Sequence, residues 1–288
     1  MIAVCITTYN HASYIAQAIE SVRAQVCDEP LRIYIGDDAS TDGTPTICER
    51  YAAEDKRIIN IRNEANLGLV NNTLSLYERI IEDGCDYIAM LDGDDYWTEP
   101  TKLQIQLDYL RANPRVGLVH TAAYEQRDGE LITADNPDKP IGDLSQCYGL
   151  RGASQTNSTV VFRTSLLQKS VLDAIREQKF MVLDYPLYGV FSQQTRFGYI
   201  HQYTAAWRKH TSVSNPSSIS TFLQYQYHYA RAWHWLNQLY PNKFQFRWYK
   251  VIGWYCWQVF YALIHFCKVY FAKNTQKICK NKKKVVIL

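Results

Sequence analysis

Ala89-Met90-Leu91-Asp92-Gly93-Asp94-Asp95 closes an apolar run over residues 87–91 with three carboxylates in four positions. A short apolar run that stops abruptly at polar residues predicts a buried strand. Like charges this close repel one another, so the cluster calls for a cationic partner. A divalent hard ion fits best, because it takes oxygen ligands and often binds phosphates at the same time. In a mostly parallel sheet, ligands sit just beyond the carboxyl ends of the strands. Gly-Asp-Asp also occurs in plain turns, so the stretch alone leaves a loop reading open.

Upstream of it the same unit repeats. Residues 2–7 read as a strand, Tyr9-Asn10-His11 as a loop, and residues 14–24 as a helix with Ile15, Ala18, Ile19 and Val22 on one face. Residues 31–35 form strand two, which runs into Gly36-Asp37-Asp38-Ala39-Ser40-Thr41-Asp42-Gly43. Thr44 is placed to cap the next helix and Pro45 to begin it. Residues 57–61 form strand three; a loop from Asn63 to Gly68 and a helix to about residue 81 lead into the opening stretch. Strands alternating with helices over short loops predict a parallel sheet covered on both faces.

Downstream, Thr98 and Pro100 predict the start of a helix carrying Leu103, Ile105, Leu107 and Leu110, which Asn113-Pro114 ends. A fourth strand over 116–121 and a hairpin turn at Asp128-Gly129-Glu130 follow, then an irregular stretch at 135–143. Residues 157–162 read as a strand and are followed by a helix to about 176; residues 180–183 lead to Asp184, with Pro186 behind it. A strand over 197–202, a linker over 215–220, aromatic helices over 221–239 and 251–271, and a basic tail over 273–284 complete the chain.

A chain of 288 residues, 47% hydrophobic and 20% charged, is long enough to bury a substantial core. Its 8 cysteines include no Cys-x-x-Cys pair, which argues against a zinc knuckle and for buried free thiols in a reducing compartment. No basic leader precedes the first apolar run, so a cytoplasmic setting is expected and the sequons at Asn71 and Asn157 carry little meaning. The net charge of +3 hides a division: all 28 acidic residues lie at or before Asp184 with 17 Lys and Arg, whereas the remainder carries 14 Lys and Arg and six of the 7 Trp. A basic, aromatic half suggests an anionic partner, either nucleic acid or a membrane face. Tyr and Trp suit the interfacial region of a bilayer.

Three stretches together carry a resemblance: Val4-Cys5-Ile6-Thr7-Thr8-Tyr9-Asn10, then Asp37-Asp38-Ala39-Ser40-Thr41-Asp42-Gly43, then Leu91-Asp92-Gly93-Asp94-Asp95. In this order they resemble the inverting, nucleotide-sugar-dependent glycosyltransferases of family 2. The resemblance implies an α/β GT-A fold, a Rossmann-like, mostly parallel sheet with helices on both faces. It covers roughly residues 1–215, with a nucleotide-binding part over 1–112 and an acceptor-binding part over 113–215. Residues 216–288 form a C-terminal aromatic and basic helical extension outside it.

The resemblance assigns roles. Asp94 is similar to the metal-binding aspartate of the family, holding Mn²⁺ or Mg²⁺ on the diphosphate. Asp92 resembles the position that contacts ribose or metal-bound phosphate, and Asp95 either orients the sugar or its loop or serves as a turn residue. Asp38 resembles the carboxylate that accepts the uracil N–H, with Asp37 its neighbour and Asp42 a loop-holding residue; an Asx-turn is the alternative for the first two. Thr8, Tyr9 and Asn10 fall where the family lines its nucleoside pocket, and Asn66 and Gly68 match its Asn-x-Gly loop. Asp184 resembles the general base, although the acidic residue the family often has before it is Leu183 here; a helix cap is the other reading. Trp207-Arg208-Lys209-His210-Thr211-Ser212-Val213-Ser214 resembles the closing segment, with Arg208 and His210 near phosphate or metal or else on the surface. His11, His120 and His201 read as surface or packing residues.

The expected activity is therefore transfer of a sugar from a UDP-sugar, or less expectedly a dTDP-sugar, to a hydroxyl of a glycan or lipid-linked glycan in surface-polysaccharide synthesis (lipopolysaccharide or capsule). A nucleotidyltransferase is the rival enzyme, but the loop after strand one lacks its Gly-rich phosphate cradle. A nucleic-acid-binding protein would leave Asp92 and Asp94 unexplained, so no nucleic-acid partner is expected. The helix over 251–271 is crowded with aromatics and followed by Lys268, Lys273, Lys277, Lys280 and Lys282-Lys283-Lys284. It predicts a peripheral anchor on the anionic inner face of the plasma membrane. Packing on the domain and oligomerisation through C-terminal helices remain open.

Overall fold

The computed structural model describes residues 1–133, 156–209 and 219–241. The first half winds as β1 (Ile2–Thr8), α1 (Ile15–Arg23), β2 (Leu31–Asp37), α2 (Thr44–Glu54), β3 (Ile58–Arg62), α3 (Gly68–Glu82) and β4 (Tyr87–Asp92). Then come β5 (Tyr96–Trp97), α4 (Lys102–Ala112), β6 (Val116–Arg127), β7 (Glu130–Thr133), β8 (Val161–Arg163), α5 (Lys169–Gln178), α6 (Asp184–Gln194), β9 (Arg196–Arg208) and α7 (Ile219–Leu239). One sheet of nine strands runs in the order β3-β2-β1-β4-β8-β6-β9-β5, with β7 paired to β6. The pairs β2–β3, β1–β2 and β1–β4 are parallel; β8 then enters antiparallel between β4 and β6, and β9 lies parallel to β6. The first half is the parallel, Rossmann-like sheet with helices on both faces that the alternating pattern predicts; the antiparallel entry of β8 and the antiparallel pairing of β5 and β7 make the whole sheet mixed rather than mostly parallel.

All seven residues of β1 are buried because both faces of the central strand are covered. Period-two alternation divides them. Ile2, Val4 and Ile6 pack with Ile15, Ile19, Leu103 and Leu107 on the side of α1, α2 and α4. Ala3 and Cys5 pack with Leu74, Tyr77, Ile175 and Phe191 on the side of α3, α5, α6 and α7. Cys5, Cys48 and Cys85 are buried free thiols and Cys27 is half-buried.

Register positions the site. Thr8 lies opposite Asp37 and Thr7 opposite Asp92, so β1, β2 and β4 end level. The chain then turns tightly: the Gly93 N–H donates to the Thr7 carbonyl at 2.8 Å. A Cβ on Gly93 would sit 2.9 Å from that carbonyl oxygen and from Thr8 Cβ, so only glycine fits.

Several local readings differ from the structure: Gly43 rather than Thr44 caps α2, and the strand expected over 116–121 runs on to Arg127. The helix expected from Thr98 begins at Lys102, because Tyr96–Trp97 first pairs with β9 and the Thr98 N–H donates to the Thr204 carbonyl. Residues 157–162 are not one strand: Asn157–Thr159 makes a 3-10 turn whose Asn157 and Ser158 side chains serve the carboxylates, and the strand begins at Val161. The strand expected over 197–202 runs on to Arg208, carrying Trp207 and Arg208 into the sheet. The hairpin at Asp128-Gly129 is as read, both residues having left-handed φ angles of 50° and 86°.

The helix α7 packs on α6: Ala232, Trp235 and Leu236 belong to the core, and a Cβ on Gly189 of α6 would strike Leu236. The helix expected over 251–271 and the basic tail lie outside the described residues. No helix among the described residues is long and apolar enough to cross a membrane. Leu236 is fully buried, so Leu236→Ala is expected to cost about 2–5 kcal/mol, read as a lower urea midpoint at unchanged m-value. A cost below about 0.5 kcal/mol, the range of surface substitutions, would show that α7 is not part of the folded unit.

Candidate active site

At the end of β1, the backbone of Asn10 takes a left-handed φ of 57°. Its N–H donates to Ser40 Oγ at 2.8 Å and its Oδ1 accepts from the Thr41 N–H at 2.8 Å, which locks the loop after β1 to the loop after β2. Asp42 adds to that lock by accepting from the Ala12 and Thr44 N–H groups at 3.0 and 2.9 Å. Asp38 is buried and holds the third loop: Oδ1 accepts from Asn63 Nδ2 at 2.9 Å and the Leu67 N–H at 2.8 Å, and Oδ2 from the Gly68 N–H at 2.8 Å. Three of its roughly four acceptor positions are thus used within the protein. Asn66 Oδ1 also accepts from the Gly68 N–H, at 3.0 Å. Asn72 ties this loop to the sheet, accepting from Asn63 at 3.0 Å and donating to the Gly36 carbonyl at 2.9 Å.

Two buried oxygens here lack a hydrogen bond, Thr8 Oγ1 and Asp37 Oδ2. Arg62 Nε lies 3.6 Å from the latter, an ion pair without a hydrogen bond. Buried polar atoms are normally satisfied, so orphans at strand ends mark a place for a polar ligand. Tyr9 is 44% exposed beside them.

The carboxylate cluster follows β4. Asp92 is half-buried; burial, then the charge of Asp94, pushes its carboxyl up to about 7, against a hydrogen bond from Asn157 and with a smaller push from Asp184. Asp95 is 1% exposed, and burial together with the charges of Asp92 and Asp94 raises it well above the carboxylate range. Ser158 Oγ donates to Asp95 Oδ2 at 2.6 Å and the Arg208 N–H to its Oδ1 at 3.0 Å. Asp95 is thus tied inward, as a residue that builds the loop. Asp94 is more open, and His11 Nε2 lies 4.0 Å from its Oδ2.

The Arg208 guanidinium donates to the Asp94 carbonyl and to Gln17 Oε1. It lies over the rings of Tyr96 and Tyr14, 4.5 and 5.1 Å from their centroids. Burial lowers its pKa from the ordinary value. In this arrangement Arg208 clamps the Asp94 loop to α1. His210 lies outside the described residues.

Asp184 opens α6. Burial raises its carboxyl above the ordinary value, while its Oδ1 accepts from the Tyr185 N–H at 2.8 Å. It is thus both a first-turn acid favoured by the helix dipole and a carboxylate whose charge reaches Asp92. His120 is buried and packs on Tyr199, as read, with ring centroids 4.8 Å apart.

Sequence reasoning gave no site role to Asn157, Ser158 or Tyr188, and read His11, which lies beside Asp94, as a surface or packing residue. The signal available for two of them was the polar triplet Asn157-Ser158-Thr159 ahead of an apolar strand. Among the described residues no three His, Cys, Asp or Glu side chains converge into a self-sufficient metal cage. Asp94, backed by Asp92, instead fits a hard cation that keeps water and substrate phosphate among its ligands.

Comparisons with known proteins identify the family and the fold. The sequence profile described as Glycosyl transferase family 2 matches residues 3–173. An uncharacterized protein of Mycobacterium bovis is 34% identical over 159 residues, covering 54% of the chain and 45% of that relative, so the chain matches under half the relative's length. Among solved structures, S. aureus TarS in complex with UDP-GlcNAc superposes with a TM-score of 0.59 at 15% identity, over 79% of this chain and 65% of that one. A mannosyltransferase from Pyrobaculum calidifontis in complex with GDP-Man and Mn²⁺ superposes at 0.54 and 16%, over 80% and 62%. At these identities the likeness concerns the fold.

The raised Asp92 carboxyl sets a sign for stability against pH. Its folded value of about 7 lies above the ordinary 3.8, so the folded state holds the proton longer and stability falls as pH rises between those values. In excess chelator, Asp92→Asn is expected to flatten the decline in urea midpoint from about pH 4 to about pH 7 relative to the unmodified protein. Parallel profiles would show that Asp92 ionises as freely in the folded chain as in the unfolded one.

Proposed function

The chain belongs to glycosyl transferase family 2, and on that premise we propose that it transfers a sugar, with inversion, from a UDP-sugar or dTDP-sugar to a hydroxyl of a glycan or lipid-linked glycan. The observation that carries this reading is the level ending of β1, β2 and β4, which gathers the orphaned Thr8 Oγ1, the Asp37–Asp38 pair and the Asp92–Asp94 carboxylates at one edge.

In this reading Thr8, Tyr9, Asn10, Asp38, Asn66 and Asp92 form the nucleotide side. Tyr9 covers the base, Asn10 and Asn66 shape the loops around it, and the remaining acceptor position of Asp38 meets a base N–H. Asp184 takes the proton from the acceptor hydroxyl as that oxygen attacks the anomeric carbon. The bond from that carbon to the diphosphate oxygen breaks on the opposite face, and the electron pair leaves with the nucleoside diphosphate. Burial suits Asp184 to the task, since a carboxylate of raised pKa is a stronger base near neutral pH. Mn²⁺ or Mg²⁺, held at Asp94, would offset the charge gathering on the leaving diphosphate. Arg208 fixes the loop on which Asp94 sits, and Asp95 holds that loop from within.

The aromatic, basic stretch from 251 onward supports peripheral attachment to an anionic membrane surface, which would bring the enzyme to a lipid-linked acceptor. The acceptor class rests on that composition alone.

Asp94→Asn is expected to abolish the stimulation of UDP-sugar hydrolysis by Mn²⁺ while thermal unfolding is preserved. Full activity in excess chelator would remove the metal from the proposal. Asp184→Asn is expected to lower hydrolysis by roughly 10² or more with UDP affinity held within a few-fold, by calorimetry. Collapse of UDP affinity would reassign Asp184 to the nucleotide; normal turnover would leave it a helix-start residue.

A further inference from the structure

The 3-10 turn Asn157–Thr159 stands between the carboxylates of β4 and the helix that begins with Asp184. Asn157 Nδ2 donates to Asp92 Oδ1 at 3.1 Å, and Asn157 Oδ1 accepts from the Tyr188 hydroxyl at 2.8 Å. The reverse amide orientation would set its oxygen against the Asp92 carboxylate, so the two partners fix which end faces which. Tyr188 is 1% exposed and lies four residues after Asp184, one turn along the same face of α6. The turn is held from behind: Trp97 Nε1 donates to the Ser158 carbonyl at 2.8 Å and Gln106 Nε2 to the Thr159 carbonyl at 2.9 Å. Ser158 and Thr159 are fully buried.

We infer that Asn157 is a positioning residue that sets the spacing between the donor-side carboxylates and Asp184, through Tyr188. The inference rests on the glycosyltransferase reading, which supplies what is being spaced: the base against the donor. A displacement needs its reacting atoms within about 3–3.5 Å and in line, and an error of about 1 Å costs on the order of 10² in rate. An amide suits the bridge because it donates to a carboxylate with one end and accepts from a phenol with the other. Aspartate here would place a fourth acid beside Asp92, Asp94 and Asp95, and leucine would satisfy neither partner. Neither Asn157 nor Tyr188 touches substrate in this role.

The experiment uses full-length protein carrying Asn157→Ala, Tyr188→Phe or both. Hydrolysis is followed with whichever of UDP-glucose, UDP-galactose and UDP-GlcNAc the unmodified protein turns over fastest, and UDP binding with Mn²⁺ is measured by calorimetry. Expected are losses in kcat of roughly 10-fold for Tyr188→Phe and 10–100-fold for Asn157→Ala, with UDP affinity and donor KM within about 3-fold. The double variant is expected to match Asn157→Ala within about 2-fold, because Tyr188 acts through Asn157 and coupled residues are not additive. A purely structural role would lower the unfolding temperature and leave kcat per active site alone. Unchanged kcat in both single variants, or losses that multiply in the double, would overturn the inference. If Asn157→Ala does not fold, Tyr188→Phe decides, since it keeps the packed ring. If the unmodified protein turns over no nucleotide sugar, the functional reading fails, and the bridge is judged by hydrogen exchange. Faster exchange of the amides of residues 184–188 in both variants would support it, and unchanged exchange would refute it.

Discussion

Carboxylates at the end of β4 are crowded into a region with little water, where an ionised acid without hydrogen bonds is costly. The chain answers with neutral donors more than with cations. Asn157 serves Asp92, and Ser158 together with the Arg208 backbone N–H serves Asp95. Donors of this kind steady a carboxylate without cancelling its charge, so a negative potential is left for a cationic ligand. The Arg208 guanidinium lies near the cluster yet bonds to the Asp94 carbonyl and Gln17. Its charge rests on the rings of Tyr96 and Tyr14.

The loops after β1, β2 and β4 were legible because their grammar is local. An apolar strand followed by a polar loop appears three times, and each loop falls at the carboxyl end of its strand, where a parallel sheet must present it. The segment around β8 was less legible, for two reasons. The antiparallel strand β8 is three residues long and enters between β4 and β6, so its neighbours are distant in sequence and leave no periodic trace. The functions of Asn157 and Ser158 depend on partners 65 and 63 residues away. Arg208 was legible as a charge near the site but not as a clamp, because Tyr14, Gln17 and Tyr96 meet it only once β9 pairs with β5. His11 was read as a surface or packing residue because a lone histidine in a loop has no pattern, and its place 4.0 Å from Asp94 follows only from the fold.

Asp38 and Asn10 show how one residue serves both fold and site. Their oxygens tie loops from different strands together, and that tying brings the loops level. A loop held by three hydrogen bonds to one buried carboxylate loses its freedom on folding, not on ligand binding, so less entropy remains to be lost when a nucleotide arrives. The same carboxylate keeps one acceptor position. Structural and ligand-binding readings of Asp38 are therefore not rivals.

Within the sheet the two halves join through a short ladder, while the cores on both faces pack across it. Between β4 and β8 the pairing is three residues deep, and past it the contact passes to the Asn157–Thr159 turn. A seam this short would hinge if it depended on ladder hydrogen bonds alone. It is stiffened because Gly93, having no Cβ, lets the β4 loop close against the Thr7 carbonyl, and because Trp97 and Gln106 grip the turn from the opposite side. Rigidity at the seam is what a displacement between two separately bound molecules demands. In the proposed reading donor and acceptor are bound by different halves, so their approach would be only as accurate as the joint between them.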